Sequence, residues 1–465
     1  MDLTKYKKVY LSGIGGIGIS AIAKMMLELE KEVYGSDSCK SDITDDLKRR
    51  GVKIFYKQEA NNITSDIDLL VYSPAIPQSS PELKKAKELK ILCLSHFEFL
   101  GELSKDYTTI AISGTHGKST TTALLSMMMI NAGLDPTIFV GSQICSINTN
   151  FRLGKSKYLV VEGDEYNFKM LKLHPDYIGL TSLDKDHLDV YGNLENIKKA
   201  FQEFIEKLND PENLIYNIDD VNIKDLKISK KSFSVSITGD SFLYVSDVVK
   251  KYNKQYFNLH LCKKSKASGQ CKKLCEIETA LPGYYNIYNI LIASALAIKL
   301  GISPKIVSET IKDFKGLWRR FEKLGKWKSN IIFSDYAHHP TAIKALLSGV
   351  RGSYQNKKIV IVFQPHQEDR TEKLFDEFLT SFDMADSIII CPIYKVSGRR
   401  KKAKVSSYDL CKEIKKSYLK EDQEIFYASD YKKIKSTISK YNDSIILVVG
   451  AGDIDNFARH FLRYD

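Results

Sequence analysis

A short glycine-rich segment of this chain combines the residue types that hold nucleotide phosphates. Residues 114–120 read Gly-Thr-His-Gly-Lys-Ser-Thr and follow an apolar, strand-like run. Backbone N–H groups and the N-terminus of the following helix would face the anion, the Lys118 ammonium would add charge, and the Ser119 hydroxyl would reach Mg²⁺. The usual pattern has a glycine six residues before the lysine, where this chain has Ile112. The segment therefore predicts a phosphate site of unusually compact form.

Carboxylates and a histidine follow the next two strand-like runs. Glu162 ends the run that starts at Tyr158, within Glu-Gly-Asp-Glu, and His187 follows the run Tyr177–Thr181. Because parallel strands end at one edge of a sheet, these side chains would lie beside the phosphate loop, where oxygen ligands hold Mg²⁺. The alternatives are an acidic helix N-terminus and a purely structural histidine. The shared position favours a metal site formed by Ser119, Glu162 and His187.

A second glycine motif lies near the N-terminus. Residues 13–18 read Gly-Ile-Gly-Gly-Ile-Gly between a strand-like run and a helical run, and Asp37 closes the next strand. Strand, glycine motif, helix, strand and acid in this order predict a fold that binds a nucleotide diphosphate, with Ser36 and Asp37 on a ribose or a base edge. A tight turn without a ligand is the alternative. The motif alone suggests NAD, but no further signature of hydride transfer accompanies it.

Polar residues also follow two strands in the last third of the chain. The open α/β sheet places ligands at such strand ends, and an arginine there can clamp a carboxylate through two hydrogen bonds. Each residue alone could equally belong to a surface turn, whereas two groups on adjacent strand ends favour a site. The residues are Asp335, Tyr336, His338, His366 and Arg370.

Strand-like and helical runs alternate along most of the chain, which predicts an α/β fold with three domains. Residues 1–104 would form a Rossmann-like domain, residues 105–315 a central domain with the phosphate loop, and residues 316–465 a second Rossmann-like domain. Between Ser232 and Glu278 the pattern becomes short and β-like. That segment predicts a small antiparallel annex to the parallel sheet of the central domain.

Composition narrows the class of protein. A content of 43% apolar and 27% charged residues is typical of a soluble globular protein, and no apolar run is long enough to cross a membrane. The first residues lead directly into a strand, so we expect no signal peptide and a cytoplasmic protein. Eight scattered cysteines indicate reduced thiols, and Cys262, Cys271 and Cys275 lack a clear fourth ligand for zinc. We expect these three to be ordinary loop cysteines.

The net charge of +12 arises from 69 basic and 57 acidic residues. A basic surface can attract nucleic acid, but these lysines are spread over the whole chain without one dense patch interleaved with aromatic residues. The charge therefore indicates a solvated surface, and we expect neither nucleic acid nor a membrane as a partner. The sequence leaves both a monomer and a homodimer open.

Ten motifs in this order resemble those of the Mur ligases, the ATP-dependent enzymes that form amide bonds in peptidoglycan precursor synthesis. Together the motifs extend over nearly the whole chain. They are Gly13–Ser20, Ser73–Pro77, Gly114–Thr121, Glu162–Glu165, Asp186–Asp189, Asn286–Asn289, Trp318–Phe321, Asp335–Pro340, Phe363–His366 and Gly450–Ile454.

The resemblance implies a reaction and its substrates. The lactyl carboxylate of UDP-N-acetylmuramate would attack the γ-phosphate of ATP and become an acyl phosphate. The amino group of L-alanine would then attack the acyl carbon and release phosphate. Within the family the motifs are most similar to those of the alanine-adding enzymes, and the cofactors implied are ATP and two Mg²⁺ ions. Three contributing domains would close on the substrates.

The resemblance also implies roles for individual residues. Lys118 would stabilise the transferring phosphoryl group, Ser119 and Glu162 would hold one Mg²⁺, and His187 would help to hold a second. The ATP site would comprise Gly114, Thr115, His116, Gly117, Lys118, Ser119, Thr120, Asn286, Asn289, Arg320 and Asp335. The sugar-nucleotide site would comprise Gly13, Gly15, Gly16, Ile17, Gly18, Ser36, Asp37, Ser73 and Ala75. The amino-acid pocket would comprise Tyr336, His338, His366 and Arg370.

Two departures from the pattern of the alanine-adding enzymes keep the acceptor open. Tyr166 stands where those enzymes usually have serine, which is similar to the related ligases that join a recycled tripeptide to the same sugar nucleotide. Arg399 and Arg400 stand where an acidic end is expected. A phosphate-loop ATPase acting on nucleic acid and a non-catalytic sugar-nucleotide binding protein are more distant alternatives.

Overall fold

The computed structural model describes residues 1–263, 269–395 and 404–464. The predicted α/β fold is confirmed, with three sheets and a domain built on each. The arginines at positions 399 and 400 and the centre of the loop between Lys263 and Lys273 lie outside the described residues.

The first sheet is wholly parallel and has the strand order β3-β2-β1-β4-β5. Its strands are Lys8–Ser12 (β1), Glu32–Ser36 (β2), Lys53–Phe55 (β3), Leu69–Tyr72 (β4) and Leu92–Ser95 (β5), and its helices are Ile17–Glu28 (α1), Asp42–Arg49 (α2), Pro81–Glu88 (α3) and His96–Ser104 (α4).

Alternate residues of β1 enter two different cores. Val9 and Leu11 pack on one face of the sheet, while Tyr10 packs on the other with Leu70 and Leu83. Burial on both faces explains why these strands are continuous apolar runs rather than alternating ones. The strand order reverses between β1 and β4, and the carboxyl ends of these two strands flank the crevice where such sheets bind ligands.

The second sheet contains the strands of the central domain, in the order β15-β14-β13-β12-β11-β10-β6-β9-β7-β8. The strands are Thr108–Ser113 (β6), Thr137–Ile144 (β7), Thr149–Arg152 (β8), Tyr158–Gly163 (β9), Tyr177–Leu180 (β10), Leu214–Asn217 (β11), Phe233–Ser236 (β12), Leu243–Lys251 (β13), Lys254–Cys262 (β14) and Cys271–Thr279 (β15). The helices are Lys118–Asn131 (α5), Leu188–Tyr191 (α6), Leu194–Ile205 (α7), Tyr284–Lys299 (α8) and Pro304–Asp313 (α9).

The β-like segment that the sequence predicts as an antiparallel annex is continuous with the central sheet. Strand β12 pairs in parallel with both β11 and β13, so β13, β14 and β15 extend the central sheet with nine residues each. The two-residue turn Tyr252-Asn253, with positive φ at both positions, makes β13 and β14 an antiparallel hairpin. Short-range patterning showed strands here but not which neighbours they would pair with.

The expectation of unpaired loop cysteines is wrong for two of the three. Cys262 ends β14, Cys271 begins β15, and the two form a disulfide. Their separation of nine residues suggests no partner by itself, whereas adjacent strands place their ends side by side. Cys275 remains a free thiol, and burial raises its pKa to about 11.

The third sheet has the order β16-β17-β21-β18-β19-β20 and is parallel except for its first strand. Its strands are Glu322–Trp327 (β16), Asn330–Asp335 (β17), Ile359–Phe363 (β18), Ser387–Ile390 (β19), Glu424–Tyr427 (β20) and Ile445–Val449 (β21). Its helices are Pro340–Ser353 (α10), Glu368–Lys373 (α11), Phe375–Leu379 (α12), Ser407–Ser417 (α13), Tyr431–Ile438 (α14) and Ile454–Tyr464 (α15).

The chain divides into two compact units. The first contains Met1–Ser246, Leu259–Cys275 and Tyr288–Asp313, and the second contains Asp247–Asn258, Glu276–Ile287 and Phe314–Asp465. The first sheet and strands β6 to β12 of the second sheet thus belong to one unit.

Within the first unit, Lys24 of α1 donates to Asn150 of β8 at 3.0 Å, and the Asn150 amide donates to the Ile17 carbonyl at 2.7 Å. These hydrogen bonds hold the start of the glycine-motif helix against the central sheet. Every helix in the described part of the chain is too short or too polar to cross a membrane.

Candidate functional site

The phosphate loop joins β6 to α5 through two glycines with left-handed backbone. Gly114 has φ +136° and Gly117 has φ +88°. A Cβ at Gly114 would collide with the Thr181 hydroxyl, and one at Gly117 would collide with Oδ1 of Asn289. Only glycine fits both positions, because side chains disfavour this backbone region and the space is filled. The turn delivers the N-terminus of α5 to the edge of the sheet.

Lys118, the first residue of α5, folds back over this loop. Its ammonium donates to the Gly114 carbonyl at 2.6 Å, to the Thr115 carbonyl at 3.3 Å and to Glu165 Oε2 at 2.6 Å. Burial opposes the charged form, but Glu165 and the neighbouring Asp164 outweigh it, so the pKa of Lys118 is raised. The lysine is therefore a fixed cation at the place where a phosphate would lie.

Ser119 and Glu162 meet beside the loop, as the sequence pattern predicted. The Ser119 hydroxyl donates to Glu162 Oε2 at 3.2 Å, and the Gly141 amide donates to Glu162 Oε1. A hydroxyl and a carboxylate oxygen at the helix start form the kind of donor set that Mg²⁺ takes next to phosphates.

His187 follows β10 and has left-handed backbone with φ +53°. Its Nε2 lies 3.6 Å from Glu165 Oε1 and 3.8 Å from Asp186 Oδ2, and the Tyr166 ring packs edge-on against it at 4.7 Å. Its Nδ1 is buried without a hydrogen-bond partner in the described part of the chain. An imidazole with carboxylates near one nitrogen and no hydrogen-bond partner on the other has the arrangement of a metal-binding histidine.

The remaining predicted loop residues lie in the same turn. His116 Nε2 is 3.2 Å from Asp184 Oδ2, and the Thr115 hydroxyl accepts from the Asp184 amide at 2.9 Å. Thr120 is buried in the first turn of α5. Asp184 thus fixes the loop from the strand end after β10.

The two asparagines of α8 have different surroundings. Asn289 is buried over Gly117, whereas Asn286 donates to the Pro282 carbonyl at 2.8 Å. Asn289 belongs to the first compact unit and Asn286 to the second.

The N-terminal glycine motif lies at the carboxyl end of β1. Gly13 has φ +78°, and a Cβ there would be 2.8 Å from the Cβ of Ser73 at the end of β4. The Ser73 hydroxyl in turn accepts from the Ala75 amide at 3.3 Å. Gly16 is the N-cap of α1, which starts at Ile17. The predicted sugar-nucleotide residues on β1 and β4 are therefore neighbours in the crevice of this sheet.

Ser36 and Asp37 support this glycine turn from β2. Asp37 Oδ2 accepts from the Gly15 amide at 2.8 Å, and the Ser36 carbonyl accepts from the Gly13 amide at 2.8 Å. The Ser36 side chain is fully buried. The structure therefore does not present its hydroxyl to a ligand, in contrast to the contact with a ribose predicted from the sequence.

A buried carboxylate explains the orientation of Ser36. Glu82 is fully buried and accepts from Tyr10 at 2.7 Å, Ser12 at 2.6 Å, Ser36 at 2.8 Å and Asn62 at 3.0 Å. Four donors satisfy a carboxylate that would otherwise be costly to bury. This network joins the ends of β1 and β2 beneath the glycine motif.

His96 lies under the last glycine of the motif. A Cβ at Gly18 would be 2.7 Å from His96 Nε2. Burial and the nearby Lys169 ammonium lower the pKa of His96 to about 4, so the imidazole is neutral at pH 7. Lys169 is paired with Asp164 at 2.9 Å and lies over the Phe97 ring at 4.2 Å.

In the second compact unit, the predicted nucleotide residues Arg320 and Asp335 flank Tyr336. The guanidinium carbons of Arg319 and Arg320 each lie 4.9 Å from the centre of the Tyr336 ring. Asp335 accepts from the Phe321 amide at 2.7 Å. Burial raises the pKa of Asp335, against the opposing effect of Arg320 and of its backbone hydrogen bonds.

The predicted amino-acid residues form one aromatic cluster in this unit. His338 packs on Tyr336 with ring centres 5.4 Å apart and on His366 at 5.8 Å. Arg370 Nη1 is 3.3 Å from His366 Nδ1, and the Tyr394 ring stacks on His366 at 5.6 Å. The strand ends after β17 and β18 bring these side chains together.

Sequence reasoning missed three residues of these sites. Glu165 stands in the same acidic motif as Glu162, and nothing in the spacing distinguishes the two. Arg319, beside Arg320, is the buried member of its pair and donates to the Gly450 and Gly452 carbonyls. Tyr394 follows β19, but no local signal relates it to His366 on another strand.

Three segments of the chain match sequence profiles of one family. Residues 8–108 match the description "Mur ligase family, catalytic domain", residues 112–297 match "Mur ligase middle domain", and residues 319–452 match "Mur ligase, glutamate ligase domain".

Individual relatives match the chain along nearly all of its length. A UDP-N-acetylmuramate–L-alanine ligase of Clostridium kluyveri is 38% identical over 473 residues, which cover 99% of both chains. The crystal structure of a UDP-N-acetylmuramate–alanine ligase from Thermotoga maritima has a TM-score of 0.82 at 25% identity and 98% coverage of both chains. A murein peptide ligase from Psychrobacter arcticus has a TM-score of 0.68 at 21% identity and shares the fold. The resemblance seen in the motifs is confirmed, and the chain belongs to the Mur ligase family.

Proposed function

We propose that this protein is an ATP-dependent ligase that joins the lactyl carboxylate of UDP-N-acetylmuramate to L-alanine in peptidoglycan precursor synthesis. The observation that carries the proposal is the 38% identity, over 99% of both chains, to a relative with that named activity. The cluster of Lys118, Ser119 and Glu162 at a glycine-rich helix start supplies chemistry suited to it.

In the first step, the lactyl carboxylate attacks the γ-phosphorus, the bond to the bridging oxygen of ADP breaks, and an acyl phosphate forms. Lys118 compensates the charge on the transferring phosphoryl oxygens, and the amides at the start of α5 hold the adjacent phosphates. Asn289, packed over Gly117, orients the same loop. Asn286, Arg320 and Asp335 complete the set of nucleotide-binding residues in the proposal.

In the second step, the amino group of L-alanine attacks the acyl carbon, a proton leaves the nitrogen, and inorganic phosphate is released. Arg370 binds the alanine carboxylate, with His366 against its guanidinium. In the proposal, Tyr336 and His338 line the pocket for the alanine side chain. Positioning of the reactants, rather than covalent help from the protein, accounts for most of the rate.

Mg²⁺ at Ser119 and Glu162 would neutralise phosphate charge, and a second ion at His187 is part of the proposal. The domain boundaries 1–104, 105–315 and 316–465 and a cytoplasmic location belong to it as well. The sugar nucleotide occupies the crevice of the first sheet, with the glycine motif around its diphosphate.

An assay with a panel of acceptors tests this function. Phosphate release from ATP is measured with UDP-N-acetylmuramate and L-alanine, glycine, L-serine or the tripeptide L-alanyl-γ-D-glutamyl-meso-diaminopimelate. We expect turnover with L-alanine and weaker turnover with glycine and L-serine. Turnover with the tripeptide alone would replace the alanine-adding function, and turnover with DNA alone would reject the ligase function.

The tripeptide ligase is the second candidate because of one residue. Tyr166 stands at the position where the alanine-adding pattern has serine. Its ring packs against His187, and the Lys169 ammonium lies 4.6 Å from the centre of that ring. This difference lies beside the proposed phosphoryl site rather than in the aromatic cluster around His366. The difference at Tyr166 is therefore only indirect evidence about the acceptor, whereas the acceptor panel tests the acceptor directly.

A further inference from the structure

Glu165 is a buried carboxylate whose two oxygens face two different groups of the phosphate site. The residue is 3% exposed. Its Oε2 lies 2.6 Å from Lys118 Nζ, and its Oε1 lies 3.6 Å from His187 Nε2. The Glu165 backbone carbonyl accepts a hydrogen bond from the Tyr191 hydroxyl, which anchors the residue from α6. One side chain thus joins the cation of the loop to the imidazole after β10.

The contact with Lys118 competes with a phosphate. The lysine ammonium has three donors, and in this structure they reach the Gly114 carbonyl, the Thr115 carbonyl and Glu165. A phosphate oxygen that enters the loop must take one of these positions. The position of Glu165 is the anionic one, and an entering anion repels that carboxylate while it attracts the ammonium.

The contact between Glu165 and His187, in contrast, would become closer when a phosphate binds. It is longer than a hydrogen bond while Lys118 holds the carboxylate, and it can shorten when the lysine leaves. When a carboxylate holds Nε2, the Nδ1 atom of the same ring points away from that carboxylate. In the described residues this Nδ1 is buried and has no hydrogen-bond partner. Metal-binding histidines are commonly oriented in this way.

We infer that Glu165 is a positioning residue that exchanges partners, holding Lys118 in the empty site and orienting His187 once Lys118 has turned to a phosphate. This inference rests on the nucleotide site proposed above. It assigns to the last carboxylate of the acidic motif a role distinct from that of Glu162, which faces Ser119.

The substitution Glu165→Gln preserves the shape and removes the charge. Without its competitor for Lys118, we expect ADP in the presence of EDTA to bind at least threefold more tightly, measured by titration calorimetry. Without a carboxylate on His187, we expect Mn²⁺ to bind the protein–ADP complex about tenfold more weakly, measured by electron paramagnetic resonance. In steady-state assays kcat falls, whereas KM for ATP stays level or decreases.

A second variant keeps the test decisive if Glu165→Gln does not fold. Glu165→Asp retains the charge but is one methylene shorter, so it cannot reach both Lys118 and His187. At least one of the two binding constants must then shift. Glu195→Gln is the matched control, because Glu195 is an exposed partner of Lys198 in the same unit and its loss should change neither constant.

Tighter binding of metal-free ADP together with weaker Mn²⁺ binding in folded Glu165→Gln supports the exchange. Constants equal to those of Glu195→Gln in the folded variants overturn it, and so does weaker binding of metal-free ADP to Glu165→Gln. Both readouts are independent of the acyl acceptor. If the parent protein releases no phosphate with UDP-N-acetylmuramate and any acceptor, the proposed function fails while the ADP and Mn²⁺ results still decide the role of Glu165.

Discussion

The first compact unit contains two glycine turns that share one plan and differ in charge. Residues 13–18 and residues 114–117 each link a parallel strand to a helix, and each contains a glycine with positive φ against a neighbouring strand end. Beneath the first turn lies the neutral imidazole of His96, and over the second lies the ammonium of Lys118.

This difference in charge suits the two turns to different roles in the proposed function. A turn that supplies amides without a cation can bind a diphosphate that stays intact. A turn with a fixed cation can also stabilise charge that moves during phosphoryl transfer. In the proposed function, the same backbone turn therefore serves binding at one site and chemistry at the other, and the side chain next to the turn makes the difference.

Removal of the cation should have the largest effect. Lys118→Ala takes away the only ammonium bonded to the loop carbonyls in the described structure, and we expect kcat to fall by at least about 10³-fold, as for other preorganised charges in transfer reactions. Phosphate release measures the change. Lys105→Ala, on an exposed lysine paired with Glu102, is the control. Activity of Lys118→Ala within about tenfold of the parent would contradict the phosphoryl role.

Substitution of one glycine in each turn should separate the two sites. Gly13→Ala would press against Ser73 and Gly117→Ala against Asn289, each with left-handed strain of about 1–2 kcal/mol. We expect Gly13→Ala to raise KM for the sugar nucleotide about tenfold or more, and Gly117→Ala to do the same for ATP.

Gly133→Ala is the matched control for both substitutions. Gly133 has φ +75° but nothing within 4 Å of a Cβ, so the variant should lose stability by about 1 kcal/mol and keep both KM values. If Gly13→Ala and Gly117→Ala raise the same KM, the two turns do not bind separate ligands.

The neutral state of His96 makes a prediction about pH. Its folded pKa of about 4 lies below the unfolded value near 6.5, so the unfolded chain binds the proton more readily between these values. The associated stability is fully present above pH 6.5 and is lost as the pH falls towards 4. Allowing for partial exposure of the ring, we expect a loss on the order of 2 kcal/mol.

Urea unfolding at pH 7, 6, 5 and 4 measures this loss. His96→Gln cannot titrate, so the parent should lose about 2 kcal/mol more than this variant over the range. His460→Gln, on an exposed histidine, should follow the parent. Parallel pH profiles for the parent and His96→Gln would mean that His96 is not held neutral beneath the first turn.

The smallest effect concerns Ser36. Because its hydroxyl is buried on Glu82, we expect Ser36→Ala to reduce the unfolding free energy by about 1 kcal/mol and to leave KM for the sugar nucleotide within about threefold. Thermal unfolding and steady-state kinetics measure the two quantities. A tenfold rise in KM at unchanged stability would show instead that the Ser36 hydroxyl contacts the ligand, as predicted from the sequence.

Local patterns predicted the strands beside the phosphate loop closely. The predicted run from Tyr158 to Glu162 lies within β9, and the predicted run Tyr177–Thr181 extends one residue beyond β10, because strands buried on both faces are continuous apolar runs with clear ends. The sequence predicted the pairing of the strands less well than their positions. The segment after β12 was expected as an annex to the central sheet and does continue it, but the sequence did not show which strands would be neighbours, since pairing depends on residues that are distant in sequence.

The candidate sites show the same limit. The sequence indicated that Ser119 and Glu162 would meet, since both follow strands that end at one edge. It did not distinguish Glu165 from Glu162, or Arg319 from Arg320, because adjacent residues of equal charge differ only in the direction of their side chains. It also did not relate Cys262 to Cys271, which depends on the pairing of strand ends.

By itself, the sequence determined the family, the α/β architecture and the chemical types at each strand end, because glycine turns, apolar runs and acidic motifs are local and ordered along the chain. The tertiary structure decided which of these groups share a contact. It placed Glu165 between Lys118 and His187, turned Ser36 into the core, and put a neutral histidine beneath one glycine turn and a lysine over the other. The physical reason is that burial, hydrogen bonding and charge act through space, and the distances that set their strength exist only once the strands have paired.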